Sequence, residues 1–411
     1  MELPGKSHRI AIVSSSFPPY VTGGISSAHY NLYRLFIQKG YDVKCFTFTD
    51  HDLDGTTEEK VVRHGAPKLA LKTLGAFYSA YTKLLQTREW FDVADQFPYI
   101  LVSAIGAWRV GRELLKFRPD ILILPDYGSP GFFIPKIPGC KTIFISHHNY
   151  LRFIDAPLIG KYSQHDALIA HKIEKMSLNK ANMAVCPSTY MEETFRHTHA
   201  FDKPIHIIPN LVDYEMINSI GAVDVRSILR LTEASPLIYI PSAGSPIKGA
   251  RLVFEIIRRL SAAYGQAIGF YLSGDVSDEK LLHELSSLPS YIKVHLPGKL
   301  SYEANIATIK ACDFCVSPTL LESFGMALLE ANFCSLPVIS FNIGGVSDII
   351  INGENGYMAA FMDVEQLISF SIGLLTNKAR LKALKVTSTK SVNDRFNASI
   401  ICNLYDKYCF S

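Results

Sequence analysis

The chain has 411 residues, 48% hydrophobic and 19% charged, with 41 basic against 38 acidic side chains and a net charge of +3. That composition excludes a disordered or fibrous chain and supports one to three globular domains, two being the central expectation. A charge so near balance neither asks for nor forbids nucleic acid, and none is expected as a partner.

The N-terminus runs polar residues straight into Arg9-Ile-Ala-Ile-Val13, so no signal peptide is expected. No apolar run reaches the roughly 18 residues that span a bilayer. A reducing cytoplasm is the default location. The eight cysteines are scattered, and the C-x-x-C of Cys312 and Cys315 has no second pair at zinc spacing. They read as buried small hydrophobes.

Residues 9–15 predict a buried strand. A loop carrying Gly23-Gly24 follows, then an amphipathic helix over about 26–39 ended by Gly40, then a strand over 42–48. This is a βαβ unit with a parallel pair, and the two glycines let backbone approach a ligand. Asp50-His-Asp52 and Asp54 read as a solvated turn rather than a metal cluster, and no metal site is expected. Residues 66–118 mix apolar, aromatic and basic side chains and predict two or three helices. Ordinary packing accounts for them; the sharper reading is a face against anionic lipid or a lipid-linked acceptor. Residues 120–124 and 140–146 predict two more strands, the second running into His147-His148-Asn149. Ligands gather where parallel strands end. A strand at 181–188, a helix from 190 to about 196 and Pro204-Ile-His-Ile-Ile-Pro-Asn-Leu-Val-Asp213 complete a first domain, 1–213.

Polar residues 214–236 connect to a second α/β domain, 214–396. Its first strand is 237–240. Then come Pro241-Ser-Ala-Gly-Ser-Pro-Ile-Lys-Gly249 and a helix from Ala250. Lys248 before a helix start is a reasonable partner for a diphosphate. Strands at 268–273, 292–296 and 313–316 follow, with a helix at 302–310. Pro318 stops the third of these strands, and Gly325 opens a helix over 326–333. The free amides near Phe324 and Gly325 make an anion site. Glu322 and Glu330, one before the helix and one on it, accept hydroxyl hydrogen bonds. A ligand with phosphate in the middle and polyols at both ends, such as a nucleotide sugar, fits that pattern.

Glu322-Ser-Phe-Gly-Met-Ala-Leu-Leu-Glu330 resembles the E-x-F-G-x-x-x-x-E signature of retaining glycosyltransferases of family 4. The resemblance covers nearly the whole chain and is poorest over 52–118. It implies the GT-B fold: α/β, two doubly wound Rossmann-like domains facing across a cleft, with a last helix, about 397–411, packing back on the first domain. It implies Glu322 and His148 as catalytic-site residues, the latter within a Ser/Thr-x-His pattern. Gly23, Gly24, Lys248, Phe324, Gly325 and Glu330 are implied in donor binding, with Glu330 on the ribose. It further implies metal-independent transfer without a cofactor, from a nucleotide-sugar donor to a glycan or lipid-linked acceptor. The usual setting is bacterial surface polysaccharide or lipopolysaccharide assembly. Two departures stand out. Leu211 replaces a Gly in I-P-N-G-V-D, and Ser242 and Ala243 stand where G-R-x-x-x-x-K-G has its Arg. A nucleotide-sugar epimerase on the same fold, or a non-catalytic nucleotide-sugar-binding subunit, stays open as an alternative.

Overall fold

The computed structural model describes residues 8–18, 23–58, 60–154 and 156–410. The chain divides into two compact units, Met1–Leu211 with Ala398–Ser411, and Val212–Asn397.

The first unit is built on β1 (Arg9–Ser14), β2 (Asp42–Thr47), β3 (Thr57–Glu58), β4 (Val61–Arg63), β5 (Ile121–Pro125), β6 (Lys141–Ile145), β7 (Met183–Cys186) and β8 (Ile205–Ile207). These lie in the order β3-β4-β2-β1-β5-β6-β7-β8. All pairings are parallel except β3 with β4. The central strands β1, β5 and β6 are mostly apolar and buried, because a parallel sheet is covered on both faces. One face packs Leu32, Leu35 and Phe36 with Ile401, Cys402, Tyr405 and Cys409. The last helix, Ala398–Tyr405, therefore belongs to this unit. The other face packs against Ala107, Val110 and Leu114 of the Gln96–Phe117 helix.

The second unit holds β9 (Leu237–Ile240), β10 (Ile268–Leu272), β11 (Ile292–His295), β12 (Phe314–Ser317), β13 (Val338–Phe341) and β14 (Gly356–Ala359). Their order is β11-β10-β9-β12-β13-β14, all parallel. This is the doubly wound arrangement, with its order reversing between β9 and β12. The first sheet reverses between β1 and β5 in the same way. Loops that follow the strands on either side of such a reversal diverge and leave room for a ligand.

Two expectations are corrected. Gly23 and Gly24 do not precede the first helix; they form its first turn, since the helix spans Gly23–Gln38 with Gly23 at φ 78°. Asp50 and Asp54 are not solvated. Asp50 is buried and accepts from Arg63 Nη1 at 2.8 Å and from Thr47 Oγ1 at 2.7 Å. Asp54 pairs with Arg109 and accepts from the Gly65 amide. Only Asp52 of the three is exposed. Seven of the eight cysteines are buried and all eight are free. No helix among the described residues is long and apolar enough to cross a membrane.

Candidate active site

In the second unit the loops after β9, β10, β12 and β13 converge by backbone contact. A Cβ on Gly249, at φ 82°, would lie 2.1 Å from the Pro318 carbonyl oxygen. One on Gly244 would lie 2.1 Å from that of Asp275, and one on Gly345 2.5 Å from that of Ser323. Only glycine permits such approaches. The Ile247 carbonyl accepts from the Leu320 amide at 2.9 Å, and the Gly345 amide donates to the Glu322 carbonyl at 3.1 Å.

This convergence brings Lys248 against Glu322. Lys248 Nζ donates to Glu322 Oε2 at 2.5 Å, with both side chains largely buried. The pair stands where β9 and β12 end, at the reversal of strand order. Phe324 is buried against Phe396. Gly325, at φ 113°, is the N-cap of the Met326–Phe333 helix, which has no side-chain cap bond and no acid in its first turn. Its first amides are left for an anion. Glu330 is buried, and burial pushes its carboxyl up to about 7, opposed by the adjacent Tyr302 hydroxyl. That hydroxyl oxygen is buried and approaches Glu330 without a formed hydrogen bond. Ser242, at the place of the missing Arg, adopts φ 48°, and its amide donates to Ser273 Oγ at 3.1 Å.

In the first unit His148 follows β6. Its ring lies among Tyr127, Tyr150 and Phe153, with centroids 4.9, 5.0 and 4.7 Å away. Burial first, then Arg152, pushes its pKa down to about 3, so the ring is neutral at physiological pH. His148 Nε2 is buried and has no hydrogen-bond partner among the described residues. An orphaned polar atom in an ordered ring is what a ligand hydroxyl would satisfy. The neighbouring His147 instead bonds Asn210 Oδ1 through Nε2 at 2.8 Å. Gly23 lies at the end of the loop after β1, with open space where a Cβ would be. Ser15 and Ser16 tie that loop to Ser26.

Several supporting residues escape sequence reasoning. Asp126, fully buried after β5, accepts from the His148 amide at 2.6 Å, the Asn149 amide at 3.0 Å and Ser146 Oγ at 3.2 Å. Burial and nearby Glu174 push its carboxyl up to about 6. Asn149 holds φ 52°, and its Nδ2 donates to Thr198 Oγ1 at 2.8 Å. Thr198 Oγ1 lies 2.9 Å from His199 Nδ1. His199 Nε2 and His171 Nδ1 both reach Glu174 Oε2, at 3.1 and 3.3 Å. Burial pushes the Glu174 carboxyl up, but bonds from His171 and His199 outweigh it and hold the group below its ordinary value. Glu174 is thus a buried carboxylate with two imidazole donors. The chain of bonds runs from it to the residue beside His148. Asp126, within Pro125-Asp-Tyr-Gly128 at a strand end, carried the one signal that sequence offered.

The family described as glycosyl transferases group 1 matches residues 224–390, and that described as glycosyltransferase family 4 matches residues 22–216. An uncharacterized glycosyltransferase of Methanocaldococcus jannaschii, MJ1178, is 28% identical over 284 residues, covering 68% of this chain and 72% of that protein. The phosphatidylinositol N-acetylglucosaminyltransferase GPI3 subunit of Saccharomyces cerevisiae is 22% identical over 382 residues, covering 90% of this chain and 76% of that protein. Among solved structures, Anabaena HepE in complex with UDP and glucose has a TM-score of 0.68 at 15% identity, covering 98% of this chain and 100% of that one.

Proposed function

The chain belongs to the family 4 glycosyltransferases of GT-B fold, and from that premise we propose that it transfers a sugar from a nucleotide-sugar donor to a hydroxyl acceptor with retained configuration. The observation that carries the reading is the Lys248–Glu322 pair at the strand-order reversal, beside an uncapped helix start. The cation and the amides near Phe324 and Gly325 suit a diphosphate. The flanking carboxylates suit the polyols at its two ends: Glu330 the ribose, Glu322 the sugar. Gly23 and Gly24 offer further amides. His148, neutral and with Nε2 unpartnered, suits a hydroxyl of the donor sugar or the acceptor.

In this reading the acceptor oxygen bonds to the anomeric carbon as the bond to the leaving diphosphate breaks. The acceptor proton passes to a diphosphate oxygen on the same face, which retains configuration. Lys248 and the helix amides stabilise the charge that develops on the diphosphate, the term that tends to dominate such catalysis. Glu322 orients the sugar and forms no covalent bond to it. No metal is assigned to the step.

The name of the yeast relative specifies a phosphatidylinositol acceptor. We take a lipid-linked acceptor as the first choice, with bacterial surface polysaccharide or lipopolysaccharide assembly the setting the family resemblance implies. The test is a thermal-shift screen of UDP-, GDP- and ADP-sugars, where a ligand at about 100 times its dissociation constant stabilises by about 2.7 kcal/mol. Turnover with and without acceptor follows. Donor conversion without any acceptor favours an epimerase, and binding without turnover favours a non-catalytic subunit.

A further inference from the structure

The Lys68–Gln86 helix buries only a narrow stripe. Tyr81 and Leu85 are its buried residues. Tyr81 donates through its hydroxyl to Asp166 Oδ1 at 2.8 Å. Just beyond the helix, Glu89 accepts from Ser163 Oγ and from the amides of Gln164 and His165. These contacts fix the helix on the start of the Gln164–Leu178 helix.

Away from that stripe lies a second apolar one. Leu69, Thr73, Phe77, Ala80 and Leu84 recur three or four apart and so share a face. All five are exposed, Leu69 at 75% and Leu84 at 57%. Lys72 and Lys83 flank this face, both exposed. Lys68 opens the helix and Arg88 follows it. From 68 to 88 the sequence holds no Asp or Glu at all. Of the acids near this stretch, Asp166 takes Tyr81 and Glu89 caps the neighbouring helix, while exposed Asp52 stands 4.0 Å from Lys68 at the helix start. An exposed apolar stripe normally marks an interaction surface. An uninterrupted flank of positive charge selects what covers it.

We propose that this helix lies flat on a membrane surface of anionic lipid, its apolar stripe among the acyl chains and Lys72 and Lys83 on the headgroups. The geometry is that of an interfacial amphipathic helix, with apolar area and positive charge acting together. The surface goes beyond the transfer reaction and stands whether or not the donor assignment holds. It would hold the enzyme where lipid-linked acceptors are.

The test is co-sedimentation of the full chain with phosphatidylcholine vesicles, alone and mixed with phosphatidylglycerol. Binding is expected to the mixed vesicles, to be weak on phosphatidylcholine alone, and to fall with added salt. Lys72→Ala and Lys83→Ala should each weaken it about fivefold, as expected for one headgroup-facing cation. The double variant Leu69→Ser, Leu84→Ser should abolish it. Both leucines are exposed, so the variant should melt as the parent does, and nucleotide binding should be unchanged. Equal binding to both vesicle types, or no binding to either, overturns the proposal. So does loss of binding with Trp108→Ser but not with the double leucine variant, since Trp108 is exposed on a different helix. Self-association of the parent that Leu84→Ser dissolves would give the stripe to a second copy and also overturn it.

Discussion

Lys248 and Glu322, 74 residues apart in the chain, share one hydrogen bond of 2.5 Å. Without donor, each is the other's partner. In the proposed reading a bound diphosphate competes with Glu322 for Lys248, and the carboxylate it releases turns to sugar hydroxyls. Removing the acid should free the cation. Glu322→Gln is expected to bind the nucleotide diphosphate severalfold more tightly while turning over more slowly, and to retain more activity than Glu322→Ala. Lys248→Ala should weaken binding by about 1.5–3 kcal/mol, the cost of losing a bond to a charged group. Calorimetry and product NMR check this. Unchanged affinity in both variants removes the pair from the donor site, and an inverted linkage removes retention.

Glu330 carries a different signature. Its folded-state pKa is raised from 4.5 to about 7. Between those values the folded protein holds a proton that the unfolded chain releases, so stability falls as pH rises through that window and stays lower above it. Glu330→Gln removes this cost. It should be more stable than the parent at about pH 8, by up to about 3 kcal/mol, and scarcely different at about pH 4. In the proposed reading ribose hydroxyls donate to this carboxylate, and parent affinity for a nucleotide sugar is then expected to rise with pH through about 7. In the glutamine variant that dependence should vanish. Melting curves and titrations across pH decide it.

Thr198 reaches the site through Asn149. Its hydroxyl accepts from Asn149 Nδ2, and Asn149 holds a left-handed backbone next to His148. Thr198→Val keeps the shape and removes the acceptor. It is expected to lower kcat severalfold, leave the donor KM unchanged, and cost about 1 kcal/mol of stability. A matched loss in KM, or no kinetic change with the same stability cost, would mean a structural role only. Because burial holds His148 neutral, no titration of that ring should show in the rate between about pH 5 and 8.

The acids after β2 separate by burial. Asp52 is exposed, and Asp52→Asn should be silent. Asp50→Asn breaks a buried pair with Arg63 and should destabilise by about 3–5 kcal/mol. Neither is expected to respond to metal, and activity should survive EDTA. Loss in EDTA restored by magnesium or manganese would count against a metal-independent step.

Much of the second unit was legible because local and tertiary signals agree there. Strand, Pro stop, glycine and helix stand in Phe314–Phe333 as the spacing predicts, and the helix at Tyr302–Lys310 falls on its expected residues. Chain order alone brings β9 and β12 side by side in a doubly wound sheet. The Lys248–Glu322 bond was not legible, since it depends on Gly249 meeting the Pro318 carbonyl. Asp50 was misread for a similar reason: its partner Arg63 arrives on β4, across a turn that no local pattern specifies. The Thr198–Asn149 link joins the end of the Thr189–Thr198 helix to the loop after β6 through side chains of ordinary type, and spacing carries no trace of it.

The last helix has a consequence for how the protein is made. Ile401, Cys402, Tyr405 and Cys409 complete a core whose other members, Ile10 to Leu211, leave the ribosome first. The first unit therefore waits, with one face of its sheet covered by the first helix but not yet by the last, while all of the second is synthesised. A fragment ending at Leu211 should expose the uncovered part of that face and aggregate, whereas Val212–Asn397 contains its own core and has no such wait.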